Sequence, residues 1–280
     1  MPESRLEALT PSRVGRPWGG GRFGQVDGEL VGELWVSGDL ATLPDGRNLV
    51  EAGVALSVPL VKILDIAGRL SVQVHPDDRL ARELHGPQGV GKHEAWYVLD
   101  ATPDAMIEAG LASGAELDDL FSGEDARILR ALARRSATVG TVIDVPPGVV
   151  HSPGPGLLLY EVQQRSDLTY RIWDWGRPRP LHPEEARRAA RALDISVREP
   201  DQARAGRFTV GAEAVPFTID MCRLRGSSLR LELARSAVLS PISGLLAIGA
   251  MVLPLGSHWL VGAGQATLAG TGEALLAAWL

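Results

Sequence analysis

Short apolar runs rich in β-branched residues and separated by Gly and Pro most constrain the fold of this chain. Residues 58–75 (VPLVKILDIAGRLSVQVH) contain two such runs, and residues 140–163 show the same pattern around two Pro-Gly turns. The 280 residues include 32 Gly and 19 Pro, which suits many turns and argues against long helical bundles. The pattern predicts an all-β chain of short strands, as in barrels and jelly rolls.

Two segments depart from the strand pattern. Residues 104–136 mix charged residues with Leu and Ile at helical spacing, which predicts a helical insertion. Residues 182–193 (HPEEARRAARAL) predict a short, strongly charged helix that links two β regions. We therefore predict two domains: residues 1–185, which include the insertion, and residues 200–280, which are again β-like.

Composition excludes several classes of function. The formal net charge is −6 and no large basic block occurs, so nucleic acid is not an expected partner. No apolar run is long enough to cross a membrane, and the first residues lack the apolar stretch of a signal peptide, so we expect a cytoplasmic protein with no membrane partner. The single cysteine, Cys222, excludes a disulfide framework and a Cys-based zinc cluster, so any metal must use His, Glu, Asp or Gln.

Alternation along two predicted strands brings polar side chains to common faces. In SVQVHPDD, Ser71, Gln73 and His75 point the same way. In GKHEAWYV, Lys92 and Glu94 share a face, and the histidine between them points to the other. A barrel interior with this many polar groups is costly unless they bind something.

A more distant histidine, His151, follows the turn PPGVV at the start of another strand. Two imidazoles, one carboxylate and one amide oxygen suit Zn²⁺ and leave room for water or substrate. Taken alone, a Gln-x-His pair is more typical of a hydrogen-bonded surface pair, and Glu94 of a solvated strand residue. Spacing by itself leaves both interpretations open.

Longer segments resemble the type I phosphomannose isomerases of the small bacterial kind. The matching strings, in the family's order, are PLVKILDIAGRLSVQVHPDD, GKHEAWYVLDA and VPPGVVHSPGPGLLLYEVQQRSDLTYRIWDWGR, with RPWGG and GELWVSG as weaker matches. The resemblance covers roughly residues 14–185 well and the last third loosely. It implies a double cupin, with a metal-binding N-terminal barrel and a degenerate C-terminal barrel. It also implies a zinc-dependent interconversion of mannose 6-phosphate and fructose 6-phosphate.

The resemblance assigns roles to residues that match the family's motifs. It implies one Zn²⁺ per chain, held by Gln73, His75, Glu94 and His151. It further implies catalytic roles for Lys92 and Arg171, contact of Ser71 with substrate phosphate, and substrate binding by Arg177 and Glu161. The base that moves the proton between C1 and C2 stays open among Lys92, a zinc-bound hydroxide and Glu161.

Departures from the family pattern concern substrate fit more than metal binding. His93 stands where relatives usually have a small or polar residue, and Ser152-Pro153-Gly154 replaces the usual turn after the last ligand histidine. The expected partner is a small sugar phosphate, and the expected state is a monomer or homodimer. Two alternatives are a sugar-phosphate-binding cupin without turnover and another cupin metalloenzyme, such as an Fe(II) oxygenase. The presence of Gln73, Lys92 and Arg171 argues against redox work.

Overall fold

The computed structural model of the chain describes residues 3–199, 204–209 and 217–280. Backbone contacts divide the chain into two compact units. The first unit consists of Met1–Arg13, Leu34–Ile63 and Arg198–Leu280, and the second consists of Val14–Glu33 and Leu64–Val197. Strands dominate both units, which confirms the all-β prediction.

The described residues form strands β1 to β20, helices α1 to α3 and two short 3₁₀ turns. The strands are β1 Leu6–Leu9, β2 Ser12–Gly15, β3 Gln25–Val26, β4 Glu29–Trp35, β5 Leu60–Ile66, β6 Val72–Val74, β7 Glu94–Ala101, β8 Met106–Leu111, β9 Leu132–Ser136, β10 Val142–Val145, β11 His151–Pro153, β12 Leu157–Gln163, β13 Tyr170–Trp173, β14 Ser196–Arg198, β15 Gly206–Thr209, β16 Phe217–Leu233, β17 Ala237–Ile248, β18 Met251–Leu253, β19 His258–Val261 and β20 Gly264–Trp279. The helices are α1 Asp78–His85, α2 Asp125–Ala131 and α3 Pro183–Ala189, and the 3₁₀ turns are Ala55–Ser57 and Leu117–Phe121.

The first unit is built on one antiparallel sheet with the strand order β1-β19-β17-β20-β16-β15, and β18 pairs with β17. Its longest pairing joins β16 to β20 from Phe217↔Trp279 to Leu233↔Gly264. Alternate residues of these strands form a buried apolar cluster that includes Leu224, Leu239 and Leu276. Burial of this cluster is the main source of stability for the unit.

The first unit also contains N-terminal segments that the sequence assigned to the first domain. Strand β1 pairs antiparallel with β19, with Leu6 opposite Val261. Residues 1–13 and 34–63 therefore group with the C-terminal strands, whereas the predicted first domain ran continuously from 1 to 185. Pairing between segments this far apart leaves no periodic signal in either one. The assignment of catalysis to one domain and a structural role to residues 200–280 stays a prediction.

Two sheets shape the second unit. One has the order β14-β10-β7-β12-β5-β4-β2, with β3 on β4, and the other has the order β13-β6-β11-β8-β9. A buried apolar cluster takes Trp96 and Val98 from β7 and Ile107 and Ala109 from β8, so it joins residues of both sheets. This arrangement is the sheet-on-sheet packing expected of a jelly roll.

The helical insertion is shorter than the sequence predicts. Residues 104–136 begin and end as strands β8 and β9, which pair antiparallel, and are helical only in the 3₁₀ turn Leu117–Phe121 and in α2. In β9 the exposure of side chains alternates along the strand, and Leu132 lies opposite Leu111 of β8. Long-range pairing thus overrides the helical spacing of Leu and Ile at both ends of the segment.

Candidate metal centre

One row across the smaller sheet of the second unit collects three of the predicted site residues. Gln73 in β6 lies opposite Arg171 in β13 on one side and opposite His151 in β11 on the other. Directly opposed residues of antiparallel strands project from the same face. The register therefore places these three side chains side by side.

His75, Glu94 and His151 form a buried cluster at this row. Their potential ligand atoms all lie within 4.8 Å of one another. His151 Nε2 lies 3.2 Å from Glu94 Oε1, and His75 Nε2 lies 3.5 Å from Glu94 Oε2. His75 immediately follows β6, His151 begins β11 and Glu94 begins β7, so three strand ends define the cluster.

Backbone carbonyls orient both imidazoles toward the centre of the cluster. His75 Nδ1 lies 2.9 Å from the carbonyl oxygen of Leu168, and His151 Nδ1 lies 3.0 Å from that of Val149. A carbonyl oxygen only accepts, so each Nδ1 carries a proton and Nε2 is the ring atom that each imidazole directs to the cluster. Burial and the nearby charge of Lys92 lower the pKa of His75 to about 4, so this imidazole is neutral at pH 7.

This donor set fits a divalent metal ion. Two neutral imidazole nitrogens and one carboxylate are the ligands of many catalytic zinc sites, and backbone partners at the second ring nitrogen are typical of them. Neither carboxylate oxygen of Glu94, although buried, accepts a hydrogen bond of good geometry within the described chain. A metal ion would satisfy these oxygens.

Gln73 reaches the cluster with its amide nitrogen. Gln73 Nε2 lies 3.2 Å from His151 Nε2, and Gln73 Oε1 accepts a hydrogen bond of 2.9 Å from Ser71 Oγ. A half-turn of the amide would exchange oxygen and nitrogen and direct the oxygen to the cluster. The role of Gln73 as a fourth ligand therefore stays a prediction, as does contact between Ser71 and phosphate.

Lys92 is buried against the same carboxylate. Its Nζ lies 2.7 Å from Glu94 Oε2 and 3.3 Å from His75 Nε2. Burial disfavours the charged form of Lys92, but the carboxylates of Glu94, Glu161 and Asp167 together outweigh burial and raise the pKa of the lysine. Burial would also raise the pKa of Glu94, but Lys92 and then His75 hold it well below its usual value.

Glu161 lies behind the cluster on β12. Its Oε2 accepts a hydrogen bond of 2.9 Å from Trp96 Nε1, and the Trp96 ring meets the His151 ring edge-on at 5.5 Å between centroids. Glu161 is buried and also raises the pKa of Lys92. Its role in substrate binding or proton transfer stays a prediction.

The two predicted arginines have different surroundings. Arg171 Nε is buried and has no hydrogen-bond partner among the described residues. Arg177 donates through Nε and Nη2 to Asp174 Oδ1, at 3.1 and 2.7 Å. The same carboxylate accepts from Arg179, a residue that the sequence did not single out. The sequence did contain a signal that could have identified Arg179, because Arg177 and Arg179 lie two positions apart shortly after Asp174.

His93 turns away from the cluster, as strand alternation predicts. Its Nε2 lies 2.7 Å from Asp144 Oδ1 on β10, and its backbone N–H donates to Gln164 Oε1. The departure from the family pattern at this position therefore affects strand packing and leaves the donor set unchanged.

Several proteins with assigned activities are similar to this chain in sequence. Mannose-6-phosphate isomerase ManA of Bacillus subtilis is 33% identical over 305 residues, 93% of this chain and 95% of the relative. The chain belongs to the mannose-6-phosphate isomerase family. The mannose-6-phosphate isomerase of Streptococcus mutans is 35% identical over 204 residues, 60% of this chain and 62% of that relative. No protein-family profile matches the chain.

Solved structures agree with this family assignment. The crystal structure of the mannose 6-phosphate isomerase from Bacillus subtilis is 27% identical, with a TM-score of 0.78 over 97% of this chain and 99% of that one. A mannose 6-phosphate isomerase bound with zinc and yttrium is 14% identical and shares the fold, with a TM-score of 0.77 over 98% and 99%. The family resemblance inferred from sequence motifs is therefore confirmed. No helix among the described residues is long and apolar enough to cross a lipid bilayer.

Proposed function

We propose that this protein interconverts mannose 6-phosphate and fructose 6-phosphate through a cis-enediol intermediate, with one bound Zn²⁺ per chain. The buried cluster of His75, Glu94 and His151 carries the proposal, because a family member with this donor set has what metal-assisted isomerisation needs. The name of the Bacillus subtilis relative, mannose-6-phosphate isomerase, supports mannose 6-phosphate as one of the two substrates.

His75, Glu94 and His151 would hold the metal, with Gln73 as the proposed fourth ligand. When bound, Zn²⁺ would polarise the oxygens at C1 and C2 of the sugar. The carbonyl partners of the two Nδ1 atoms keep the Nε2 lone pairs aimed at the metal position, so the apoprotein is already organised for binding.

Isomerisation moves a proton between C1 and C2, and negative charge develops on the oxygens of these carbons. Arg171 lies next to Gln73 in the sheet, and its guanidinium stays protonated throughout the reaction. A fixed cation at this position would stabilise the enediolate more than the substrate. Lys92, 2.7 Å from Glu94, adds a second cation beside the metal ligands.

Transfer of the proton between C1 and C2 requires a base, which this chain either supplies or positions. Glu161 and Lys92 are the two buried side chains proposed for this role, and Lys92 would act as a base only after losing the proton that Glu94 stabilises. Exchange of the C2 proton of mannose 6-phosphate with solvent separates them, because Glu161→Gln removes a base while keeping an acceptor for Trp96. Loss of exchange in Glu161→Gln with folding retained assigns the base to Glu161, and unchanged exchange assigns it elsewhere.

A coupled assay tests the proposed function directly. Purified protein should convert mannose 6-phosphate to fructose 6-phosphate, lose this activity with a chelator, and regain it when Zn²⁺ is added. A folded, zinc-loaded protein that binds the sugar phosphate without turnover would instead be a binding protein. Oxygen consumption without isomerisation would identify a metal oxygenase.

Metal content tests the donor set separately from activity. We expect His75→Ala and His151→Ala to lose bound zinc, because each removes one of three ligands from the cluster. His85→Ala is a matched control, since His85 bonds Tyr170 Oη and lies outside the cluster. Full zinc occupancy in both cluster variants by elemental analysis contradicts the assignment.

A further inference from the structure

His182, just before α3, makes two hydrogen bonds with one residue of β13. Its backbone N–H donates to the carbonyl oxygen of Arg171 at 2.8 Å, and its Nδ1 accepts from the backbone N–H of Arg171 at 3.1 Å. Two opposed residues of an antiparallel sheet exchange such a pair of bonds through their backbones alone. His182 therefore takes the place of a strand residue and uses its side chain as the acceptor.

This contact lies at the edge of the smaller sheet. Strand β13 is the last strand of that sheet, so only one side of its backbone has a neighbouring strand there. On that side lies β6, in which Gln73 is opposite Arg171. The Nε of the Arg171 guanidinium is buried and has no hydrogen-bond partner among the described residues. The backbone of Arg171, and not a polar contact at Nε, therefore determines where its side chain begins.

The side chain of His182 serves the strand and not its own helix. His182 is the N-cap residue of α3, but its side chain makes no capping hydrogen bond. By contrast, Asp77 caps α1 by accepting the backbone N–H of Leu80 at 2.7 Å. Asn, Asp, Ser and Thr are the usual N-cap residues, and histidine is not among them. The start of α3 therefore does not account for the imidazole.

Only a neutral imidazole, with its proton on Nε2, accepts the backbone N–H of Arg171. The ring of His182 faces Arg171 and, at 6.3 Å between centroids, Tyr170 of β13, whose hydroxyl bonds His85 of α1. Burial and then the charge of Arg171 lower the pKa of His182, against an opposing effect of Glu185 on α3. The imidazole is therefore neutral at pH 7 and gains a proton only in acid.

We propose that His182 is a positioning residue that fixes Arg171 beside Gln73 and releases it when the imidazole is protonated. This inference rests on the proposed function, in which Arg171 stabilises the enediolate. A displacement of about 1 Å can cost a catalytic group up to about 100-fold in rate. Turnover therefore depends on the protonation of a residue that the proposed mechanism leaves unused.

His182→Asn and His182→Ala form a matched pair, because Oδ1 of Asn can replace Nδ1 as the acceptor and Ala has no acceptor. We expect His182→Ala to lower kcat for mannose 6-phosphate about 10-fold, with KM changed by less than about threefold. His182→Asn should keep kcat within about twofold of the wild type at pH 7.5. If His182→Ala does not fold, as judged by circular dichroism, His182→Leu gives the same comparison.

The pH profile of kcat, measured with excess Zn²⁺, separates positioning from a purely structural role. Asn does not titrate, so the ratio of wild-type kcat to His182→Asn kcat should decrease as the pH falls below 6.5. Other groups that titrate in acid are common to both proteins and cancel in this ratio. A constant ratio would overturn release by protonation. An unchanged kcat in His182→Ala, or equal losses in the Ala and Asn variants, would overturn the positioning role.

Hydrogen exchange of the Arg171 backbone amide distinguishes failure of this inference from failure of the proposed function. Measured by NMR at pH 7.5, the amide should be protected in the wild type and in His182→Asn, and it should exchange at least about 10-fold faster in His182→Ala. This result would support the anchoring of Arg171 even in a protein that does not isomerise mannose 6-phosphate. Equal exchange rates in all three proteins would overturn it, whatever their activity.

Discussion

Replacement of His258 by Gln should remove a defined part of the pH dependence of stability. His258 is 7% exposed at the start of β19, and its Nδ1 lies 2.9 Å from Ser240 Oγ. Burial lowers the pKa of this imidazole from 6.5 to about 4. Below pH 6.5 the unfolded chain therefore binds a proton here that the folded chain does not, until the pH falls to about 4. Stability is lost as the pH decreases through this window.

The magnitude follows from the size of the shift. Each pKa unit corresponds to about 1.4 kcal/mol of unfolding free energy, so the shift lowers the free energy of unfolding by about 3.4 kcal/mol in total. About 2.5 kcal/mol of this loss falls between pH 7.5 and 4.5. Urea unfolding of the wild type and of His258→Gln, followed by tryptophan fluorescence across this range, measures the difference. Contributions of all other groups, including His75, are common to both proteins and cancel. Parallel pH profiles for the two proteins would refute the reasoning.

The same variant tests the predicted structural role of residues 200–280. Isomerase activity of His258→Gln at pH 7.5 should stay within about twofold of the wild type, because the proposed site lies in the other unit. A hundredfold loss in a folded variant would place part of the catalytic machinery in the C-terminal strands.

Three further predictions follow from the geometry. Arg171→Ala should lower kcat by roughly 10²- to 10³-fold with a smaller change in KM. Arg171→Lys should recover little activity, because lysine lacks the planar guanidinium. An unchanged kcat and a raised KM in steady-state kinetics would make Arg171 a binding residue instead. Gly20→Ala should destabilise the protein, because a Cβ there would overlap the buried Asp65 carboxylate, which the backbone N–H of Arg22 holds in place. Gly21→Ala, with nothing within 4 Å of its added Cβ, should not destabilise it, and equal melting temperatures for the two variants would contradict this. Cys222 is fully buried and its pKa is raised to about 12, so it should resist iodoacetamide at pH 8 until the protein unfolds in urea, and rapid labelling of the native protein would be inconsistent with this burial.

Sequence periodicity predicted the strands well where the pattern was local. The runs in residues 58–75 became β5 and β6, and alternation predicted that Gln73 and His75 share a face and that His93 turns away from Glu94. These inferences depend only on neighbouring positions of one strand. They required no knowledge of which strands pair.

Features that depend on pairing between distant segments could not be predicted from the sequence. Nothing local indicates that Leu6 pairs with Val261, or that the helical spacing in residues 104–136 yields to strands at both ends. The hydrogen bonds of Arg177 and Arg179 to one buried Asp174 likewise depend on how a loop returns along a strand.

The pairing of β6 with β11 has a consequence for the order in which the protein matures. His75 and His151 come from distant parts of the chain, and only this pairing brings them side by side. An unfolded chain offers a metal ion separate imidazoles and carboxylates, since closing so long a loop costs entropy before any two ligands meet. The apolar cluster between the sheets requires no ion, so the chain can fold first and bind the proposed metal afterwards. With the proposed zinc dependence, scarcity of zinc would leave a reservoir of folded, inactive protein that activates as soon as the ion returns.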